Sequence, residues 1–343
     1  LALDGNDKAS ARIQLACPLS LAEVRRALGG SAIVWKDETF LVPSDGSVRR
    51  RRVERLGALV LSEETLPSAT PEQARPLLLA ALRERGLRRV LLSGGTPSSA
   101  AALEMVARVR LMRVLEPDGG WPLWTEATLL AEADTPFGWL ISALEGATSL
   151  KQLARADVST LLEQTMPYEL QVRLRECAPT VMETPSGSKV KLAYVRDGFD
   201  PLADEHAAAA AGDAEEDAGA DVEAAVAPIL ASKLQEWFGA AETPAVGPVS
   251  SQVPVLLHLL TPAGRPAAIT SDLGSFWAGP YAGVRADLRD KYKRHPWPED
   301  PANASPTKLS NRAIAKQAAE GKGPASEDGG KGNGGGGGGG GDS

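Results

Sequence analysis

Only two of the 343 residues are cysteine, Cys17 and Cys177, and only three are histidine, at positions 206, 258 and 295. Two thiols so far apart make no disulfide framework and suit a reducing, intracellular setting. Three dispersed histidines supply no metal-ligand cluster. No apolar run reaches the ~18 residues that a membrane-spanning helix needs. There is no G-x-x-x-x-G-K-[ST] loop. The Gly-Lys pairs, at Gly321 and Gly330, lack the following Ser or Thr and the preceding strand, so no backbone cradle for a nucleotide is encoded. No G-x-S-x-G elbow presents a nucleophile, and Cys177, with no histidine near it in sequence, reads as a core thiol on a helix. The net charge of −7 argues against wholesale nucleic-acid coating, although local basic patches remain compatible with it.

What is present is enough for a core: 43% of the residues are hydrophobic. Residues 1–66 read as a small β-rich unit with one helix. Ser20 caps that helix, Gly29 and Gly30 end it, and strands flank the Ser44-Asp45-Gly46 turn. Residues 67–178 read as a helical bundle of short segments with polar starts. Within it, Val90–Glu104 reads as a strand-like run, a Gly-Gly turn and a helix capped by Thr96 or Ser98. Residues 179–301 read as an α+β domain. "TVMETPSGSKVKLAYV" and "QVPVLLHLLTPAGRPAAITSD" are hairpins, "AVAPILASKLQEWFG" is an amphipathic helix, and Asp272 caps a further helix. The Ala- and acid-rich stretch 198–222 and the tail 302–343, which ends in a glycine run, have the composition of disorder. The fold class is therefore α+β: a β-rich start, a helical middle and a C-terminal α+β domain interrupted by an acidic insertion.

Two stretches concentrate positive charge. "VRRRRVER" places Arg49, Arg50, Arg51 and Arg52 in a row on a strand, from which alternate side chains can pair phosphates. The competing reading is an exposed face, or one paired with acids of a neighbouring domain. "VRADLRDKYKRHPWPEDP" places Arg285, Arg289 and Lys293 on one helical stripe, with Lys291, Arg294 and His295 beside it. Tyr292 and Trp297 offer rings on which bases can stack. Here the competing reading is that the rings pack onto the domain and the cations are solvated. "DEHA", Asp204–Ala207, resembles a helicase box by letters alone, in the wrong order and in an acidic linker.

In colinear order, "LALDGNDKASARIQLACPLS", "RRRRVERLGALVLSEETLP", "MPYELQVRLRECAPTVMETPSGSKVKLAY", "ILASKLQEWFGAAETPAV", "VPVLLHLLTPAGRPAAIT", "TSDLGSFWAGPYAGVRADLR" and "YKRHPWPEDP" resemble the C-terminal region of HrpB-type DExH-box ATP-dependent helicases. Asp290 and Lys293 depart from the Gly and Pro expected before His-Pro-Trp-Pro. The resemblance implies a non-catalytic accessory region whose two RecA-like motor domains are absent, a fragment starting at Leu1 within the trailing strands of an oligonucleotide-binding-type barrel. It implies no catalytic residue, metal or cofactor in this chain, since ATP and Mg²⁺ would belong to the motor. The expected partners are the helicase motor domains and single-stranded or structured RNA, with no membrane. The expected contacts are Arg285, Arg289, Lys291, Tyr292, Lys293, Arg294 and Arg49 to Arg52. The alternative is a scaffold that packs on the motor without touching RNA. The Ala- and Gly-rich additions are compatible with a plastid home.

Overall fold

A computed structural model describes residues 2–4, 12–15, 17–93, 97–133, 135, 138–196, 198–203 and 227–319. Contacts divide the chain into two units. The first comprises Leu1–Ala178, Tyr194–Val226 and Gly247–Ser251, and the second comprises Pro179–Ala193, Ala227–Val246 and Gln252–Ser343. Residues 1–66 and 67–178 thus fall in one unit.

The first unit opens with an antiparallel ribbon of β1 (Ala2–Asp4) and β2 (Arg12–Leu15). Helix α1 (Leu21–Ala32) starts at a Ser20–Glu23 capping box. It continues through Gly29 and Gly30, where a stop was expected, and ends only where Ile33 turns extended and enters β3. Strands β3 (Ile33–Leu41), β4 (Val48–Leu56) and β5 (Leu59–Thr65) form an antiparallel three-stranded sheet. The β3–β4 turn needs a glycine: Gly46 has φ +69°, and an added Cβ would lie 3.1 Å from the Leu150 side chain.

The helical part contains α2 (Pro71–Arg85), α3 (Pro97–Leu115), α4 (Glu126–Glu132), α5 (Ile141–Glu145), α6 (Leu150–Leu153), α7 (Val158–Glu163) and α8 (Tyr168–Cys177). Its core holds Leu78, Leu82, Leu111, Met112, Leu129, Leu144, Leu153 and Leu162, all fully buried, with Trp121, Trp124 and Trp139 buried as well. Each such aliphatic side chain contributes ~1.5–3 kcal/mol by leaving water. The strand-like run at Val90 is instead a π-helical turn, Arg88–Leu92. Leu87, Leu91 and Leu92 are buried while Arg88 and Arg89 face outward, a helical spacing that leaves no ladder for a strand. Thr96 lies outside the described residues.

Order also extends into the expected acidic insertion. Pro201 and Leu202 are buried, Arg110 donates to the carbonyls of Asp200 and Ala203 at 3.2 Å each, and its guanidinium lies over the Phe199 ring. The rest of that insertion, with the Asp204–Ala207 stretch and His206, lies outside the described residues.

The second unit is built on a five-stranded sheet in the order β12-β11-β8-β7-β6. Its hairpins match the sequence reading: β6 (Val181–Glu183) with β7 (Lys189–Ala193), and β11 (Leu256–Leu260) with β12 (Pro266–Thr270). The expected helix at 225–239 is not there. Ile229–Lys233 is β8, a central strand antiparallel to β7 and parallel to β11, followed by one 3-10 turn, Leu234–Trp237. Leu230 and Ser232 alternate inward at strand period, so pairing on both edges overrides a helical propensity. A two-stranded ribbon, β9 (Ala245–Val246) and β10 (Val253–Pro254), precedes β11.

Helix α9 (Leu273–Ala278) starts at Asp272, whose carboxylate accepts from the Ser275 N–H at 3.0 Å, and α10 (Tyr281–Lys291) follows. Phe238, Phe276, Trp277 and Tyr281 make a ring cluster with centroids 5.1–6.3 Å apart. The tail is also partly ordered. The Thr307 N–H donates to the Gln235 carbonyl at 2.9 Å, the Asn311 N–H to that of Arg294 at 2.8 Å, and α11 spans Asn311–Ala319. The expectation of no structure from 302 onward is corrected for 302–319, and residues 320–343 lie outside the described set.

Candidate nucleic-acid interface

The expected contact residues fall into two groups on different units. Arg49 to Arg52 sit on β4, where the ladder sets Arg51 opposite Glu38 and Arg52 opposite Asp37. Every one of the four meets an acid of its own sheet or turn. Arg49 pairs with Asp45 at 2.9 Å, and Arg50 reaches Asp37 at 3.9 Å. Arg51 bridges Glu38 at 3.2 Å and Glu63 at 2.9 Å, with its guanidinium 4.8 Å from the Phe40 ring centre. Arg52 holds Asp37 at 2.7 Å. The Arg52 hydrogen bond is the main reason the Asp37 carboxyl sits below its usual range. The arginine row is therefore neither a bare face nor one waiting for acids elsewhere. The signal was in the sequence: Asp37 and Glu38 precede the turn by as many residues as Arg52 and Arg51 follow it.

The second group surrounds the end of α10, and the structure splits it in two. Arg285 ties the helix to the segment beyond it, donating to the Trp297 carbonyl at 3.0 Å and to Glu299 at 2.9 Å. Trp297 is 8% exposed, and its ring N–H donates to the Tyr292 carbonyl at 3.1 Å. Tyr281 is buried, its phenol donates to the Pro298 carbonyl at 2.9 Å, and burial pushes its pKa up to about 12. Gln235 adds a bond from its side-chain amide to the Pro296 carbonyl at 3.2 Å. His-Pro-Trp-Pro is thus a closure of the domain, and Trp297 is not placed to stack a base.

The other cations remain outward. Helix α10 ends at Lys291, and the Tyr292 N–H closes it on the Leu288 carbonyl at 2.7 Å. Lys293 and Arg294 therefore lie on the turn past the helix, and the expected stripe from Arg285 through Arg289 to Lys293 does not form. Lys291, Lys293 and Arg294 are exposed and make no ion pair among the described residues. Arg289 approaches only its neighbour Asp290, at 3.8 Å. Tyr292 is half-buried with its phenol 3.4 Å from Thr261 Oγ1.

Three features escaped the sequence reading. Arg265 and Thr261, on the β11–β12 turn, face α10. Arg108 is buried inside the helical part. Residues 302–319 fold back on the second unit. None has a motif, since each depends on contacts remote in sequence. Burial raises the Cys177 thiol above its usual pKa, the opposite of what an activated nucleophile needs. No described helix is long and apolar enough to cross a membrane.

Residues 139–301 match a family model described as ATP-dependent helicase C-terminal, HrpB_C. A curated relative, the ATP-dependent RNA helicase HrpB of Escherichia coli (strain K12), is 26% identical over 317 residues, which is 91% of this chain and 34% of the relative. The crystal structure of the E. coli DExH-box NTPase HrpB is similar with a TM-score of 0.57 and 26% identity, over 90% of this chain and 33% of that one. A second structure, of the E. coli DEAH/RHA helicase HrpB, gives 24% identity and a TM-score of 0.49 over 84% and 30%. The chain spans about a third of the length of these relatives. They are bacterial and lend no support to a plastid home. Residues 139–301 thus match the HrpB-type helicase C-terminal model, and similarity to the HrpB helicases extends along most of the chain.

Proposed function

We propose that this chain is the non-catalytic accessory region of an HrpB-like ATP-dependent RNA helicase, and that it supports the motor by contacting RNA at the end of α10. The observation that carries the reading is the outward set Lys291, Lys293 and Arg294, which makes no ion pair among the described residues, beside Arg289, which reaches only its neighbour Asp290 at 3.8 Å. Paired arginines would have to exchange one anion for another, whereas Lys291, Lys293 and Arg294 can neutralise phosphates directly and Arg289 has only an exposed neighbour to leave. ATP and Mg²⁺ would be held by the motor domains, since this chain has no phosphate-loop sequence.

The test is fluorescence anisotropy of the chain on labelled single-stranded RNA across a salt series. Four phosphate contacts on a single strand give a log–log slope near −3, about a fiftyfold loss of affinity between ~50 and ~200 mM salt. Changing Arg289, Lys291, Lys293 and Arg294 to Ala should remove most of that sensitivity. Salt-independent binding, or binding unaltered in the variant, refutes the reading. A second reading is a scaffold for the motor, favoured by the self-paired arginines of β4 and the buried Trp297. It predicts no RNA binding at low salt.

A further inference from the structure

Beside the outward cations lies a cleft of about 320 Å³, lined by Thr261 and Arg265 of the β11–β12 turn and by Asp287, Lys291 and Tyr292 of α10 and its cap. The turn is firmly built. The Thr261 N–H donates to the Arg265 carbonyl at 2.8 Å, and the Gly264 N–H donates to the Thr261 carbonyl at 2.9 Å. Gly264 supplies the required φ of +78°. Thr261 Oγ1 accepts from the Arg265 N–H at 3.1 Å and from the Tyr292 phenol at 3.4 Å. With both lone pairs so engaged, its own O–H is left to donate elsewhere. One wall thus offers a hydroxyl donor and an exposed guanidinium, and the other offers the ammonium of Lys291. Arg265 and Lys291 form no ion pair among the described residues. The half-buried Tyr292 ring supplies the only large flat surface among the lining residues.

Asp287 opposes any anion here, and it decides which anion fits. It stands one helical turn before Lys291, the spacing at which the two side chains are neighbours on a helix. The free carbonyls at the end of α10 add a partial negative charge of about half a unit. Two cations against one carboxylate and that partial charge leave a modest positive balance. This balance suits a singly charged phosphodiester better than a phosphomonoester or free phosphate, which carry roughly −1.5 to −2 at neutral pH.

We propose that this cleft seats one phosphodiester of a single-stranded RNA, held by Arg265, Lys291 and the Thr261 hydroxyl, with the adjoining sugar or base against Tyr292. The inference rests on the RNA reading above and adds the β11–β12 turn to it. It commits Arg265 and Thr261, which the four-residue variant leaves intact, and gives Asp287 the role of rejecting more highly charged phosphates.

The test measures anisotropy of a short labelled oligouridylate on the full chain and its R265A, R265K, T261V and D287N variants, with thermal melts as a folding control. R265A should bind about five- to tenfold more weakly with a salt slope smaller by about one, and R265K should regain the slope. T261V should weaken binding with the slope unchanged. Inorganic phosphate at matched ionic strength should compete poorly against the unchanged chain and better against D287N. If the unchanged chain binds RNA and both R265A and T261V bind equally well, the cleft is refuted while the RNA reading stands. If the unchanged chain binds no RNA at low salt, both fall. If free phosphate displaces RNA as well from the unchanged chain as from D287N, the proposed discrimination is wrong.

Discussion

The Arg108 guanidinium donates to the carbonyl of Ala178 at 2.6 Å, across 70 residues of sequence. Its other arm donates to the Leu174 carbonyl at 3.1 Å. These carbonyls belong to the last turn of α8 and its cap, so a side chain from α3 reinforces an end that the Ala178 N–H already closes on the Leu174 carbonyl at 3.0 Å. Arg108 is 8% exposed, and burial pulls its pKa down without neutralising it. Replacing it with Ala should cost about 3 kcal/mol, because the Ala178 carbonyl loses the guanidinium, the Leu174 carbonyl keeps only the Ala178 N–H, and a cavity opens. R108K, which keeps a charged donor, should lose less. Amide exchange in α8 should quicken in R108A while that of β11 does not. Equal melting of R108A and the unchanged chain would show that the cap is dispensable.

The paired arginines of β4 predict an acid limit to stability. Hydrogen bonds from Arg52 lower the Asp37 pKa from its reference of 3.8, and those from Arg25 lower that of Glu54 from 4.5. A carboxylate with a depressed folded-state pKa stabilises the fold above its unfolded value and loses that contribution as pH falls through the folded one. The share of the melting temperature that these two pairs supply should therefore hold above pH 4.5 and decline below 3.8. R25M should flatten the Glu54 share of the decline, and an unaltered profile in R25M would remove that assignment.

The same pairing predicts little for RNA. Exchanging Arg50 and Arg52 for Ala should leave RNA affinity within about twofold, because the two guanidiniums already face Asp37, at 3.9 and 2.7 Å. A loss as large as that from the α10 variant would put the interface on β4.

Gly239 has φ +80°, its N–H donates to the Pro301 carbonyl at 2.9 Å, and an added Cβ would lie 2.8 Å from the Ala304 carbonyl. G239A should cost ~1–2 kcal/mol from backbone conformation alone and more from the clash. Ending the chain after Pro301 should remove only the second part. A double-mutant cycle between G239A and that truncation therefore has a non-zero coupling. Strict additivity would mean that residues 302–319 do not rest where the structure puts them.

His295 should titrate below its ordinary 6.5, chiefly through burial and then through the nearby Lys233. Its Nδ1 is buried without a partner among the described residues. The folded state resists protonation, so stability should fall as pH drops below 6.5 and the unfolded chain takes up the proton first. Ring proton shifts across pH 5–8 give the midpoint, and a value at or above 6.5 contradicts the burial argument.

The hairpins, most of the helices and the Asp272 cap were legible because each is written in local pattern. Ile229–Lys233 was not, since its strand character comes from β7 and β11 on either side rather than from its own letters. The same holds at the candidate site. The cations of α10 stand out as composition, but that Arg285 and Trp297 serve closure while Lys291 faces out is decided by where the chain returns. Thr261 and Arg265 carried no signal, because only the folded sheet brings their turn to Tyr292.

The two units are interleaved along the chain, and this constrains the order in which they form at the ribosome. The first unit waits for Tyr194, whose N–H donates to Glu104 at 2.8 Å, and for Gly247, whose N–H donates to the Cys177 carbonyl at 2.7 Å. By then β6, β7 and β8 of the second unit have already been made. Neither unit can be finished before the other has begun, so synthesis from N to C terminus yields no stage at which one is whole and the other still untranslated.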